Sequence, residues 1–321
     1  MTKTNSEMPI FFAINDAYVP CLTVALHSLT EHAAPASQYK IIVLHQGLTP
    51  ANQAKLQALS TANVAVTLMA MDEQLEKQIN DQNNSLRGDY FTYTIYFRLF
   101  IADMFPQYDK ALYLDADIVV ETDLGDLFAE DLGDSFFAGV ADSYMNSDDV
   151  MGTYAEEAVG VPREDYINSG MLLLNLTALR REQFSQHFLS LLNQYHFASL
   201  APDQDYINAM GHGRIHYLPT AWNVQVRNTG DAAATPHLVH YNLFRKPWHY
   251  SDAPHADFFW QEAQRLPIYP DFQKSLQAYT ATDRQTDLDK LAHMQQLGRD
   301  ICAKHPTFKE IQAQTGSVAL S

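Results

Sequence analysis

Apolar and polar positions fall in blocks whose period changes several times along the chain. Ile10–Ile14 is a short apolar run, and from Val19 to Leu29 the apolar spacing becomes helical. Lys40–Leu44 reads as a second strand. Thr49-Pro50 then opens a helix, with the threonine as N-cap and the proline at the first helical position, where its missing N–H does no harm. Val64–Met69, rich in valine and leucine, reads as a third strand. This β-α-β-α-β alternation predicts an α/β fold with a mainly parallel, doubly wound sheet.

Residues 81–89 are polar turn formers and read as a loop, and Tyr93–Met104 reads as a helix with aromatic packing. Lys110–Leu114 is a fourth strand that runs into Asp115-Ala116-Asp117, after which Ile118–Val120 resumes strand character. Phe136–Ala141 and Met171–Asn175 are buried strand candidates, and His237–Tyr241 is a last short one. Before it, beyond Pro219, the pattern is irregular around Trp222 and Asn223, with a Gly/Ala-rich turn at 230–234. The final part reads as helices over Asp257–Arg265, Asp271–Tyr279 and Asp283–Lys304. The simplest division is an α/β domain over residues 1–265 and a helical C-terminal extension over 266–321.

The chain has 321 residues, 46% of them hydrophobic, which suffices for a sizeable core. A formal net charge of −17 repels phosphate polymers, and no Lys/Arg stripe overrides that average. Nucleic acid is thereby argued against as a partner, and membrane contact is restricted to a peripheral kind. A single phosphate-bearing ligand stays compatible, because a metal ion can neutralise it locally. The two cysteines, Cys21 and Cys302, lie far apart and suggest neither a disulfide scaffold nor a zinc site. Met1–Pro9 lacks the layout of a signal peptide, and no apolar run approaches a membrane span. A soluble, cytoplasmic protein is expected.

The chemistry concentrates at Asp115 and Asp117. Residues i and i+2 of an extended chain point to one face, so the two carboxylates converge at a strand end, where ligands bind in open α/β sheets. Convergent carboxylates repel unless a cation lies between them, and oxygen ligands select a hard ion such as Mn²⁺ or Mg²⁺. The bland alternative is a solvated turn. A sharper one is an aspartyl phosphatase of the haloacid dehalogenase type, which Asp115–Val119 also fits; three preceding strand–helix units argue against it. His240, at the end of a short apolar strand, is a candidate third ligand, and Lys246 a candidate for neutralising a diphosphate.

Six segments occur in order: FFAINDAY, TIYFRLF, YLDADIVV, YINSGMLLLNL, DQDYIN and HYNLFRKPW. With them the chain resembles the retaining glycosyltransferases of family eight, the group of bacterial lipopolysaccharide galactosyltransferases and glycogenin. The resemblance implies a Rossmann-like, GT-A type sheet and a metal-dependent transfer of galactose or glucose from UDP-galactose or UDP-glucose. The acceptor it implies is a saccharide, glycolipid or glycoprotein hydroxyl, reached in the cytoplasm or at the inner face of the membrane.

Carried over residue by residue, it implies that Asp115, Asp117 and His240 hold Mn²⁺ or Mg²⁺. Ala13, Asn15 and Tyr18 would line the uracil and ribose pocket, with Ala116 also on the nucleotide sugar. Arg98 would reach the donor's sugar and phosphate region, and Lys246 the diphosphate. Asn168 and Asp203 would bond sugar hydroxyls. Asp142 would lie near the donor–acceptor junction and Gln204 beneath the anomeric carbon. Asn15 stands where the family usually has an acid. Leu243 replaces a glycine that lets backbone N–H groups approach phosphate, which implies a shifted loop or a weaker phosphate grip. That departure motivates a second reading, a nucleotide-sugar-binding protein without catalysis.

Overall fold

A computed structural model of the protein describes residues 7–71, 93–228 and 235–320. The loop expected at 81–89 and the turn at 230–234 lie outside the described residues. In chain order the strands are β1 (Met8–Ile14), β2 (Tyr39–His45), β3 (Val64–Ala70), β4 (Lys110–Leu114), β5 (Ile118–Val120), β6 (Phe137–Gly139), β7 (Met171–Asn175), β8 (Ile215–Tyr217), β9 (Val224–Gln225) and β10 (Leu238–His240). The chain packs into two compact units, one of residues 1–70, 111–131 and 219–287, the other of 71–110, 132–218 and 288–321.

In the first unit β1 lies between β2 and β4 and β2 between β1 and β3, all parallel. Ile10, Phe11 and Phe12 are fully buried, as a parallel strand covered on both faces requires. The helix Val19–His32 buries Leu22, Val24, Ala25, Leu26 and Leu29. Its Ser28 hydroxyl accepts the Val120 N–H at 2.9 Å, tying the helix to β5. A second small sheet sets β10 antiparallel to β5 and parallel to β9, with His240 opposite both Ile118 and Gln225. The turn 115–117 therefore links the end of β4 to the start of β5, and the strand paired with β5 carries His240. Behind β10, Tyr241, Trp248, Phe259 and Phe272 form an aromatic core, so residues beyond 265 contribute to this unit.

In the second unit β6 pairs antiparallel with β7 and parallel with β8. The mainly parallel sheet thus holds, with this one antiparallel neighbour inside it. Helices Phe184–Tyr195, Pro202–Gly211 and Phe308–Thr315 surround a cluster of aromatic rings, in which Phe308 stacks on Phe197 at 4.0 Å.

Two expected elements differ. Tyr93–Leu99 forms a 3₁₀ helix, followed by a short α-helix at Ile101–Met104, in place of one α-helix. Arg98 Nε donates to the Ile95 carbonyl at 3.2 Å, the oxygen that an α-helix would give to Leu99. Of Phe136–Ala141, only Phe137–Gly139 is strand. Beyond it Ala141 makes a lone bridge to Ile167, and Asp142 turns the chain into the helix Ser143–Ser147.

Candidate active site

In the first unit, β4 delivers Asp115 and the following turn delivers Asp117, which is 9% exposed. β10 ends on His240, also buried. His240 Nε2 lies 3.4 Å from Asp117 Oδ1 and 3.8 Å from Asp115 Oδ2. One ligand atom from each of the three residues falls within 4.8 Å of the other two. His240 Nδ1 lies 3.2 Å from the Asn223 side-chain oxygen, which can only accept. With a proton on Nδ1 for that contact, the Nε2 lone pair would face the carboxylates, the state a metal needs.

Lys246 Nζ donates to Asp117 Oδ2 and to the Tyr241 carbonyl. Burial alone would raise the Asp117 carboxyl, but Lys246 and His240 outweigh it and hold Asp117 well below the usual carboxylate range. Burial likewise pulls Lys246 down, yet Asp117 beside it keeps the ammonium above its ordinary value. Two carboxylates and an imidazole nitrogen facing one point suit a hard divalent ion, so the donor set fits the expected metal.

Nearby in the first unit, Asn15 Oδ1 accepts the Ala17 N–H at 3.0 Å and caps the 3₁₀ turn Asp16–Tyr18. Ala13 is half-buried near the end of β1, Ala116 is buried in the turn, and Tyr18 packs on the aromatic core behind β10. Leu243 has φ of +59°. This is the left-handed backbone that glycine reaches freely, so the turn keeps the conformation a glycine there would favour, and the strain falls on leucine.

The second unit gathers the other expected residues. Arg98, 7% exposed, donates to the Ser169 carbonyl at 2.5 Å and hydroxyl at 3.0 Å, and its Nε lies 3.2 Å from Asp203 Oδ2. Ser169 Oγ donates to that same Asp203 oxygen at 3.0 Å. The Ser169 N–H donates to Gln204 Oε1 at 2.9 Å, and the amides of Asn168 and Gln204 both reach Asp142. Every site residue expected here therefore joins one network.

Three contributors escaped the sequence. Ser169 is a hub of this network, Asn223 braces His240, and Asp205, in the first turn of the helix Pro202–Gly211, is fully buried. Asp205 accepts from Tyr154 at 2.6 Å, Tyr166 at 2.5 Å, the Ala201 N–H at 3.2 Å, and Ser199. Burial pushes the Asp205 carboxyl above its usual range against those donors.

A family model described as glycosyl transferase family 8 matches residues 9–252. The chain belongs to glycosyltransferase family 8. A putative glycosyltransferase of Haemophilus influenzae is 24% identical over 220 residues, covering 68% of this chain and 64% of that protein. An Escherichia coli lipopolysaccharide 1,2-glucosyltransferase is 29% identical over 183 residues, 52% of this chain and 53% of its own length. Family-8 chains of known structure share the fold. The galactosyltransferase LgtC, solved with donor and acceptor sugar analogs, superposes with a TM-score of 0.69 at 26% identity, over 84% of this chain and all of LgtC. The expected Rossmann-like, GT-A type α/β sheet is thereby met. Among the described residues, no helix is long and apolar enough to cross a membrane.

Proposed function

We propose that this family-8 chain transfers a hexose, galactose or glucose, from its UDP-sugar to a hydroxyl of a saccharide acceptor, with retention of configuration. The observation that carries the reading is the Asp115–Asp117–His240 cluster, with the imidazole braced at Nδ1 by the Asn223 side chain. Mn²⁺ or Mg²⁺ bound there would supply Lewis-acid stabilisation of a departing diphosphate.

The chain's own residues do the rest. Lys246 adds a fixed positive charge beside Asp117, on the side where the leaving group becomes more negative. The family resemblance assigns Ala13, Asn15, Tyr18 and Ala116 to the nucleotide, and Arg98, Asn168 and Asp203 to the sugar. Gln204, a neutral amide, stabilises the positively charged sugar rather than attacking it. Family relatives named for lipopolysaccharide glucosyl and galactosyl transfer favour a glycolipid-linked or cell-surface acceptor, met in the cytoplasm at the inner face of the membrane.

The test is release of UDP from UDP-galactose and from UDP-glucose, with and without Mn²⁺. Metal-dependent release from one donor is expected and names the sugar. Binding of UDP without release from either donor, in the presence of saccharide acceptors, would sink the transferase reading in favour of a binding protein.

A further inference from the structure

Asp142 follows β6 and caps the helix Ser143–Ser147. Its Oδ1 accepts the N–H groups of Tyr144 at 2.9 Å and Met145 at 3.0 Å. Its Oδ2 accepts Asn168 Nδ2 at 2.9 Å and Gln204 Nε2 at 3.1 Å. The residue is 5% exposed. An ionised carboxylate offers about four lone-pair sites, and four donors fill them.

Two consequences follow. No lone pair is left to take a proton from an acceptor hydroxyl, so a general base at this position would first have to break its own cap or release an amide. The carboxylate also can only accept, so both amides must turn their NH₂ groups toward it. That settles an oxygen–nitrogen choice which electron count alone leaves ambiguous. The Gln204 carbonyl oxygen accordingly faces Ser169 N–H at 2.9 Å and Asn168 Nδ2 at 3.4 Å, and the Asn168 carbonyl oxygen faces Gly170 N–H at 3.0 Å.

We infer that Asp142 is a positioning residue, the anion that sets the polarity of the Gln204 and Asn168 amides, and not the acceptor's base. With its NH₂ anchored on Asp142, the Gln204 dipole is fixed with its carbonyl end, the partial negative end, on Ser169 N–H and Asn168 Nδ2, and a sugar that gains positive charge would meet that end alongside those donors. A reversed amide would oppose that charge. The catalytic consequence rests on the transferase reading above, whereas the anchoring of the amides does not.

The test uses the full chain. Asp142→Asn has one accepting oxygen and cannot serve both the backbone pair and the two amides. Asp142→Ser keeps a capping oxygen but offers the amides no anion, so it covers the case in which loss of the cap unfolds the first variant. In ¹H–¹⁵N spectra the side-chain NH₂ signals of Asn168 and Gln204 are assigned by their loss in Asn168→Ala and Gln204→Ala. Both signals are expected to move together in either Asp142 variant. Unchanged signals overturn the proposal whatever the enzyme does, since no substrate is needed.

For UDP release, Asp142→Asn is expected to lower kcat about 100-fold with the donor KM within about threefold, as for a group acting in the transition state. In the Gln204→Ala background the same change should cost less than about threefold, because two residues acting through one contact are not additive. A full multiplicative loss there would show Asp142 acting directly on the acceptor and overturn the proposal. A wild-type chain that releases no UDP fails the transferase reading alone, and the spectral result still decides the anchoring.

Discussion

The cluster at Asp115, Asp117 and His240 and the network around Asp142 are both buried and polar, yet they balance themselves in opposite ways. Around Asp142, Asp203 and Asp205 in the second unit, carboxylate oxygens meet donors. Asp142 is filled by four N–H groups, Asp203 is paired with Arg98 and Ser169, and Asp205 is surrounded by hydroxyls. In the first unit two carboxylate oxygens and an imidazole nitrogen face one another, with Lys246 engaging one side of Asp117. A closed network holds its members still, which suits residues that must present a fixed dipole. A cluster of facing ligand atoms has affinity left over for a cation.

Four substitutions would break or sharpen this contrast. The largest effect is expected from Asp117→Asn, whose amide oxygen still accepts from Lys246 so that the fold stands. Its Mn²⁺-dependent UDP release should drop by at least about 100-fold, a loss on the scale of removing a main electrostatic stabiliser. Near-normal turnover at limiting Mn²⁺, read by the UDP assay, would refute the metal assignment. Next comes Asn223→Ala, which removes the partner of His240 Nδ1. Calorimetric Mn²⁺ affinity should weaken about 10–100-fold, as for other groups that orient a ligand histidine. Asn168→Ala in the second unit should leave the same affinity untouched, and equal losses in both would erase the distinction drawn here. The smallest effect is expected from Leu243→Gly, which relieves a left-handed leucine. It should raise stability by about 1 kcal/mol in chemical denaturation, net of glycine's larger unfolded-state entropy. A fall in stability would mean that leucine's side-chain packing outweighs the backbone strain.

What the sequence revealed depended on how local each signal is. β1, β2 and β4 announce themselves as uninterrupted apolar runs, and the spacing of Asp115 and Asp117 follows from strand geometry alone. Thr49 and Pro50 mark their helix start correctly for the same reason. The role of Asn223 was invisible, since it depends on β9 and β10 lying side by side, seventeen residues apart in the chain. Ser169 drew no attention in the sequence because its partners are Arg98, Asp203 and Gln204, the nearest of them 34 residues away. The 3₁₀ segment Tyr93–Leu99 likewise carries an Arg98 side chain bonded to the Ile95 carbonyl, a contact that no apolar periodicity reports. Leu243 shows the reverse case. The sequence marked it as a departure and suggested a displaced loop, and the backbone answers with a glycine-like turn built from leucine.

Lys246 lies against Asp117 and reaches the Tyr241 carbonyl, so the first unit carries its own resident counter-ion. Many small metalloproteins cannot fold until their ion arrives, because the bare ligands repel. If the cluster takes the proposed ion, the lysine would balance Asp117 before that ion arrives, and scarcity of the metal would idle the molecule and not destroy it.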